Sequence, residues 1–207
     1  MVLDWAGVDV DETKTNDYLN AQWAAQELMK KHDKPFFMAC GIFRPHLPWY
    51  VPQKYFDRFK LEDIQLPKQD PMETMEKLSP RALSMTGYNK PEHEFNILKK
   101  YGMEKEAVRA YLACISYADD CIGQIVDALE KSPERDNTIV VFWGDHGWHL
   151  GEKMRYRKFS LWDRSCHVPM IIVAPGVTKP GSVCKQPVSL LDLYPTLVSW
   201  RVYLLIL

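Results

Sequence analysis

The chain has 207 residues, 46% of them hydrophobic and 26% charged, with a formal net charge of −1. These proportions are ordinary for globular proteins and exclude disordered, collagen-like and low-complexity chains, while the near-neutral charge removes the electrostatic case for a nucleic-acid or acidic-membrane partner. At about 150 residues per domain, the length suits one domain with an excess or part of a larger one.

The first residues, Met1-Val2-Leu3-Asp4-Trp5, put an acid where an export leader carries basic residues, and no long apolar stretch follows. As it stands the segment does not read as a signal. From 13 to 31, Tyr18, Leu19, Trp23, Leu28 and Met29 recur at helical spacing, which predicts an amphipathic helix ending at His32-Asp33-Lys34-Pro35. The run Phe36 to Phe43 has no polar alternation and reads as a strand buried on both faces. In Arg44-Pro45-His46-Leu47-Pro48-Trp49 each proline removes a backbone donor and restricts the residue before it, so His46 lies on a stiff loop after that strand.

A helical turn is expected at Gln53 to Phe59, and the mixed prolines, charges and methionines of 61–96 read as a long surface excursion. Residues 104–131 carry Val108, Tyr111, Leu112, Ile115, Ile122, Ile125, Val126 and Leu129, near-ideal helical spacing. Thr138 to Trp143 and Val168 to Ala174 read as two further strands, the first stopping at Gly144-Asp145-His146-Gly147. This order predicts an α/β domain, helices flanking a mostly parallel sheet. Leu190 to Leu197 looks like a helix start. The apolar end Val202 to Leu207 is too short for a bilayer span of about 20 residues and reads as a truncated or frame-altered tail. The five cysteines, Cys40, Cys114, Cys121, Cys166 and Cys184, show no C-x-x-C pairing; most are expected to be buried structural thiols, and the odd count leaves at least one free.

Ligands of open α/β sheets bind beyond the carboxyl ends of strands, where Gly144-Asp145-His146-Gly147 falls. Asp145 offers a hard oxygen and His146 a neutral nitrogen, two donors suited to a divalent cation. The pair also fits a strand-end aspartate capping a turn with histidine as its partner. Lys153, Arg155, Arg157 and Lys158 follow at once and suit a tetrahedral anion; a solvated basic loop is the alternative. His46 alone reads equally as a structural hydrogen-bonding residue. Cys40, four residues before Arg44, reads as an inert buried thiol rather than a nucleophile.

Phe142 to Lys153, then Arg157-Lys158-Phe159, Leu161-Trp162 and Val168 to Gly176, resemble the type I sulfatases, nearest the iduronate-2-sulfatase-like and choline-sulfatase-like branch. Arg44 to Trp49 is similar to that branch's R/K-P-H-x-P-[FWY] loop, and Ser189 to Leu197 to its later helix start. The resemblance runs over about 34–197 of a chain read as a partial catalytic domain (1–207), with 198–207 an atypical tail.

The resemblance implies an alkaline-phosphatase-like α/β fold. It also implies hydrolysis of sulfate esters by a formylglycine made from cysteine or serine, with a divalent cation, usually calcium, orienting nucleophile and sulfate. Asp145 and His146 match the metal pair, His46 a histidine near the leaving oxygen, and Lys158 the lysine paired with sulfate; Trp148 and His149 would line the substrate entrance. The formylglycine motif C/S-x-P/A-x-R is absent, Ile42 standing where Pro or Ala is required after Cys40. The early paired aspartates are missing too, Asp9-Val10-Asp11 lacking the N-terminal strand that should precede them, and Arg155-Tyr156 stands where the branch more often has His-Trp.

The chain is therefore expected to be a sulfatase fragment, inactive as it stands. Alternatives are a phosphate mono- or diester hydrolase of the same superfamily, or a non-catalytic anion- or partner-binding remnant. Expected partners are a sulfated small molecule or glycan, with no nucleic acid and no membrane span. The resemblance implies a periplasmic or secreted location, which the chain itself does not indicate.

Overall fold

The computed structural model describes residues 3–68, 75–87 and 90–204. Strand β1 (Trp5–Val8) lies parallel to β2 (Trp49–Pro52), Trp5 opposite Trp49 and Val8 opposite Pro52. Helix α1 (Asn16–Leu28) lies between them in sequence, and α2 (Gln53–Asp57) follows β2 directly. Next come α3 (Pro80–Thr86), α4 (Glu94–Tyr101) and the long α5 (Glu104–Lys131). The last part holds β3 (Val140–Trp143), β4 (His149–Leu150), β5 (Tyr156–Arg157), α6 (Asp163–Cys166), β6 (Met170–Val173) and α7 (Leu193–Leu204).

The long helix has the predicted bounds. Glu104 and Glu106 in its first turn and Lys131 in its last complement the helix dipole. Its buried face, including Ala107, Ala110, Cys114, Tyr117 and Cys121, packs on α1. Helix α1 turns a different face to it than the apolar spacing predicts: Asp17, Ala21, Ala24 and Leu28 are buried, while Leu19, Trp23 and Met29 are about half exposed. Alanines let the two backbones approach closely, so the small face wins the interface. Both ends of α1 are pinned to α5 or its cap. The Tyr117 hydroxyl lies 2.5 Å from Thr15 Oγ1 and accepts the Tyr18 N–H at 3.1 Å, and the Ser132 hydroxyl donates to the Leu28 carbonyl at 2.6 Å.

Phe36 to Phe43 forms no strand. It pairs with no other strand among the described residues, and Phe37 is 85% exposed. An apolar run is a strand only where a neighbour supplies the ladder bonds. The predicted surface excursion is also revised, because it contains α3 and the start of α4 and sends Met75 and Phe95 into the core beside Trp49, Tyr55 and Tyr156.

Among the described residues the strands form three two-stranded sheets, β1–β2 parallel and β3–β6 and β4–β5 antiparallel. The β3–β6 ribbon exposes Phe142, Ile171 and Val173 on one face and Trp143 on the other, so β3 and β6 are not buried on both faces. At the tail, Ser189 and Asp192 form a capping box before α7, which continues to Leu204. Residues 205–207 of the tail lie outside the described residues. All five cysteines are free thiols, but only Cys114 and Cys121 are buried; Cys40 is intermediate, and Cys166 and Cys184 are exposed.

Candidate active site

Three segments, the first of them far from the other two in sequence, meet at Trp148. The first is the proline loop carrying His46, both of whose X-Pro bonds are cis. The buried carboxylate of Asp17 accepts the backbone N–H of Phe43 at 2.8 Å and of Arg44 at 3.0 Å. The Arg44 guanidinium donates to the Tyr50 carbonyl at 2.9 and 3.1 Å and to the His46 carbonyl at 3.3 Å, and the Trp49 indole donates to the Pro45 carbonyl at 2.8 Å. His46 Nδ1 lies 2.7 Å from the Leu47 carbonyl, so Nδ1 donates there and Nε2 is the ring nitrogen left for other partners.

The second segment is Gly144 to Gly147, at the carboxyl end of β3 as expected. Glycine is required at 147 by close approach, since a Cβ there would sit 2.0 Å from the Arg164 carbonyl oxygen of α6. The Gly147 N–H donates to the Ser165 carbonyl at 2.9 Å. Asp145 Oδ1 accepts the His146 N–H at 3.0 Å, and Oδ2 lies 3.6 Å from His146 Nε2. The Asp145 side chain is 83% exposed and carries its charge outward.

The third segment is the turn 151–158 between and beyond β4 and β5, which bears Lys158. Its ammonium lies 5.9 Å from the centre of the Trp148 ring, within cation–π range. His46 approaches the same indole edge-on at 6.4 Å, and His146 lies tilted at 6.2 Å. Tyr111 of α5 stacks on it at 6.1 Å, and Trp49 packs at 6.0 Å. The indole N–H of Trp148 is buried and has no hydrogen-bond partner among the described residues. One aromatic ring thus gathers His46, His146 and Lys158, with Asp145 beside His146.

His149 differs from its expected place. It is fully buried and lines no entrance. Nδ1 faces the Glu152 carbonyl at 3.2 Å, Nε2 lies 3.0 Å from Ser160 Oγ, and Ser160 Oγ lies 2.8 Å from Ser165 Oγ. Burial pushes its pKa below the ordinary imidazole value, against the opposing charge and carbonyl of Glu152. The four neighbouring cations do not converge on one anion either. Arg155 is buried and donates to the Thr86 and Phe159 carbonyls, both at 2.8 Å, and Arg157 pairs with Glu94 at 2.5 Å. Cys40 is held unreactive by burial and then by the Asp17 charge, both raising its pKa.

The donor set at Asp145 and His146, a hard oxygen and an imidazole, suits a divalent cation. No group of three or more His, Cys, Asp or Glu able to hold a metal occurs among the described residues. Two donors do not make a centre for an ion that takes six to eight ligands. A strand, β1, does precede Asp9-Val10-Asp11, contrary to expectation. Asp11 nonetheless caps the 3-10 turn at Glu12–Lys14 by accepting the Thr13 N–H at 3.1 Å, which leaves no aspartate pair there directed at a metal.

Sequence reasoning missed Asp17 and Tyr111 as parts of this site. Tyr111 lay in the apolar stripe of α5 and read as core; Asp17 is 26 residues from the loop that it holds, a separation that carries no local signal.

The fold is part of an α/β domain of the alkaline-phosphatase-like kind, and its structural neighbours agree. It superimposes on a phosphonate monoester hydrolase from Silicibacter pomeroyi with a TM-score of 0.71 at 24% identity, covering 92% of this chain and 38% of that one. The family model for sulfatases matches residues 8–201, and the chain belongs to the sulfatase family. It is 37% identical to a sulfatase of Formosa agariphila over 197 residues, 95% of this chain and 38% of that protein. It is 30% identical to human iduronate 2-sulfatase over 231 residues, 93% of this chain and 41% of that protein. The chain thus spans about two fifths of these two relatives.

Proposed function

We propose that this chain is part of a sulfuric ester hydrolase, contributing the residues that hold the sulfate and protonate the departing alcohol. The observation that carries the reading is the convergence of His46, His146 and Lys158 on the Trp148 indole. Lys158 supplies a cation where sulfate charge grows in the transition state. His46, protonated on Nε2, hands that proton to the alkoxide as the S–O bond breaks. The part of Trp148 that stays exposed offers apolar surface suited to the C–H face of a sugar ring. The human relative is named for iduronate, which supports a sulfated sugar as the substrate class.

Asp145 and His146 would contribute two ligands to a divalent cation, calcium by family habit, and that ion would neutralise sulfate oxygens. The family's formylglycine would supply the nucleophile. The 207 residues contain no C/S-x-P/A-x-R, so this stretch alone is inactive in the reading. By the same family habit the location is periplasmic or secreted.

The test measures sulfate release from aryl sulfate and sulfated monosaccharides, with calcium, for the 207-residue chain and for a protein that joins it to a formylglycine-bearing segment. Release by the joined protein only, lost in His46→Ala, is expected. Preferential release of phosphate would move the chain to the phosphate-ester branch, and turnover by the 207 residues alone would overturn the fragment reading.

A further inference from the structure

The backbone that carries Lys158 is bent against its own preference. Lys153, Met154 and Arg157 have φ of 54°, 54° and 73°, left-handed values that cost non-glycine residues about 1 kcal/mol or more each. Such a run persists only where surrounding bonds over-determine it. Two buried side chains do so on either side of Lys158. On one side, the Arg155 guanidinium spans from the Thr86 carbonyl at the end of α3 to the Phe159 carbonyl, 2.8 Å each way. On the other, His149 Nε2 holds Ser160 Oγ at 3.0 Å, and that hydroxyl meets Ser165 Oγ at 2.8 Å. The Ser160 N–H closes back on the Lys158 carbonyl at 2.8 Å.

Neutral His149 satisfies this arrangement in one tautomer. Nδ1–H donates to the Glu152 carbonyl and Nε2 accepts from Ser160, leaving Ser160 Oγ free to accept from Ser165. In the register of β4 with β5, His149 stands opposite Arg157, so the same residue fixes the strand that enters the Lys158 turn.

We infer that His149 and Arg155 are positioning residues for Lys158: by fixing Ser160 and the Phe159 carbonyl they aim its ammonium at the Trp148 face. The inference rests on Lys158 being the sulfate-binding cation, but its geometry can be read without turnover. Arg155 also ties the Lys158 turn to α3, so a segment that resembled a surface excursion becomes the seat of a site residue.

Reductive 13C-methylation of the lysines of the 207-residue chain gives each ammonium its own signal. Lys158, assigned by its loss in Lys158→Arg, is expected upfield because of the Trp148 ring current. Lys54, 5.0 Å from the Tyr55 ring, is an internal report of folding. In His149→Gln and Arg155→Lys the Lys158 displacement is expected to vanish while that of Lys54 stays. Should either variant unfold and lose both, Ser160→Ala removes the link between His149 and Ser165 without disturbing the buried ring, and the same selective loss is expected. A Lys158 signal that stays displaced in every folded variant overturns the inference. Titration of the parent chain with inorganic sulfate separates the two readings: a Lys158 signal that ignores sulfate but moves in the variants sinks the sulfate role and leaves the positioning intact.

Discussion

The Lys158 ammonium lies 5.9 Å from the centre of the Trp148 indole, and His46 meets the same indole in a T-shaped arrangement at 6.4 Å. An aromatic face leaves an ammonium its three N–H donors for an incoming anion, whereas a carboxylate partner would have neutralised it.

Removal of that cation should act on chemistry more than on binding. In a catalytically complete protein containing this chain, Lys158→Ala is expected to lower kcat about 100-fold with a small change in KM, since its charge matters most where the transition state concentrates negative charge. Steady-state kinetics on an aryl sulfate decide this, and an unchanged kcat would remove Lys158 from the site.

Calcium should bind the isolated 207 residues weakly. Asp145 and His146 offer two donors to an ion that takes six to eight, so a Kd no tighter than about 1 mM is expected, weakened further in Asp145→Asn. Titration calorimetry measures it; micromolar binding would reveal a larger donor set than this pair.

Asp17 should be worth more than a surface carboxylate. Its loss strands the N–H groups of Phe43 and Arg44, and Asp17→Ala is expected to cost about 2 kcal/mol, with Asp17→Asn costing less because one acceptor survives. Urea unfolding gives the cost. Faster amide exchange confined to Phe43 and Arg44 would trace it to this loop.

Acid should loosen the Lys158 turn before neutral pH does. Burial holds the folded pKa of His149 below the ordinary value of about 6.5, so the unfolded chain binds the extra proton first. The contribution is complete above about 6.5 and is lost as pH falls from there through the lower folded value. Urea midpoints from pH 8 to pH 5 should fall less steeply in His149→Gln than in the parent chain, and equal slopes would contradict this.

Legibility followed the range of the interaction. The 28 residues of α5 repeat one period over many turns, and its bounds could be read directly. The run Phe36 to Phe43 could not, because a strand depends on its neighbour and no strand pairs with this one among the described residues. Asp145, His146, Lys158 and His46 were readable as chemistry, and their meeting at Trp148 was not. Trp148 and His149 are neighbours in sequence, yet adjacent side chains of extended backbone point to opposite sides, so one faces the histidines and the other the interior. The two-residue ladder of β4 and β5 is too short to leave a pattern.

Helix α1 is fastened near its beginning by the Tyr117 hydroxyl and at its end by Ser132, and Asp17 lies within its first turn. The helix therefore ties the proline loop, through Asp17, to both ends of its contact with α5. A change at the Ser132 end, more than a hundred residues along the chain from Leu28, would leave the Tyr117 hydroxyl as the remaining side-chain tie described above between this helix and α5. The loop that carries His46 is thus anchored by a residue of a helix whose own anchors lie far along the chain from any reacting atom.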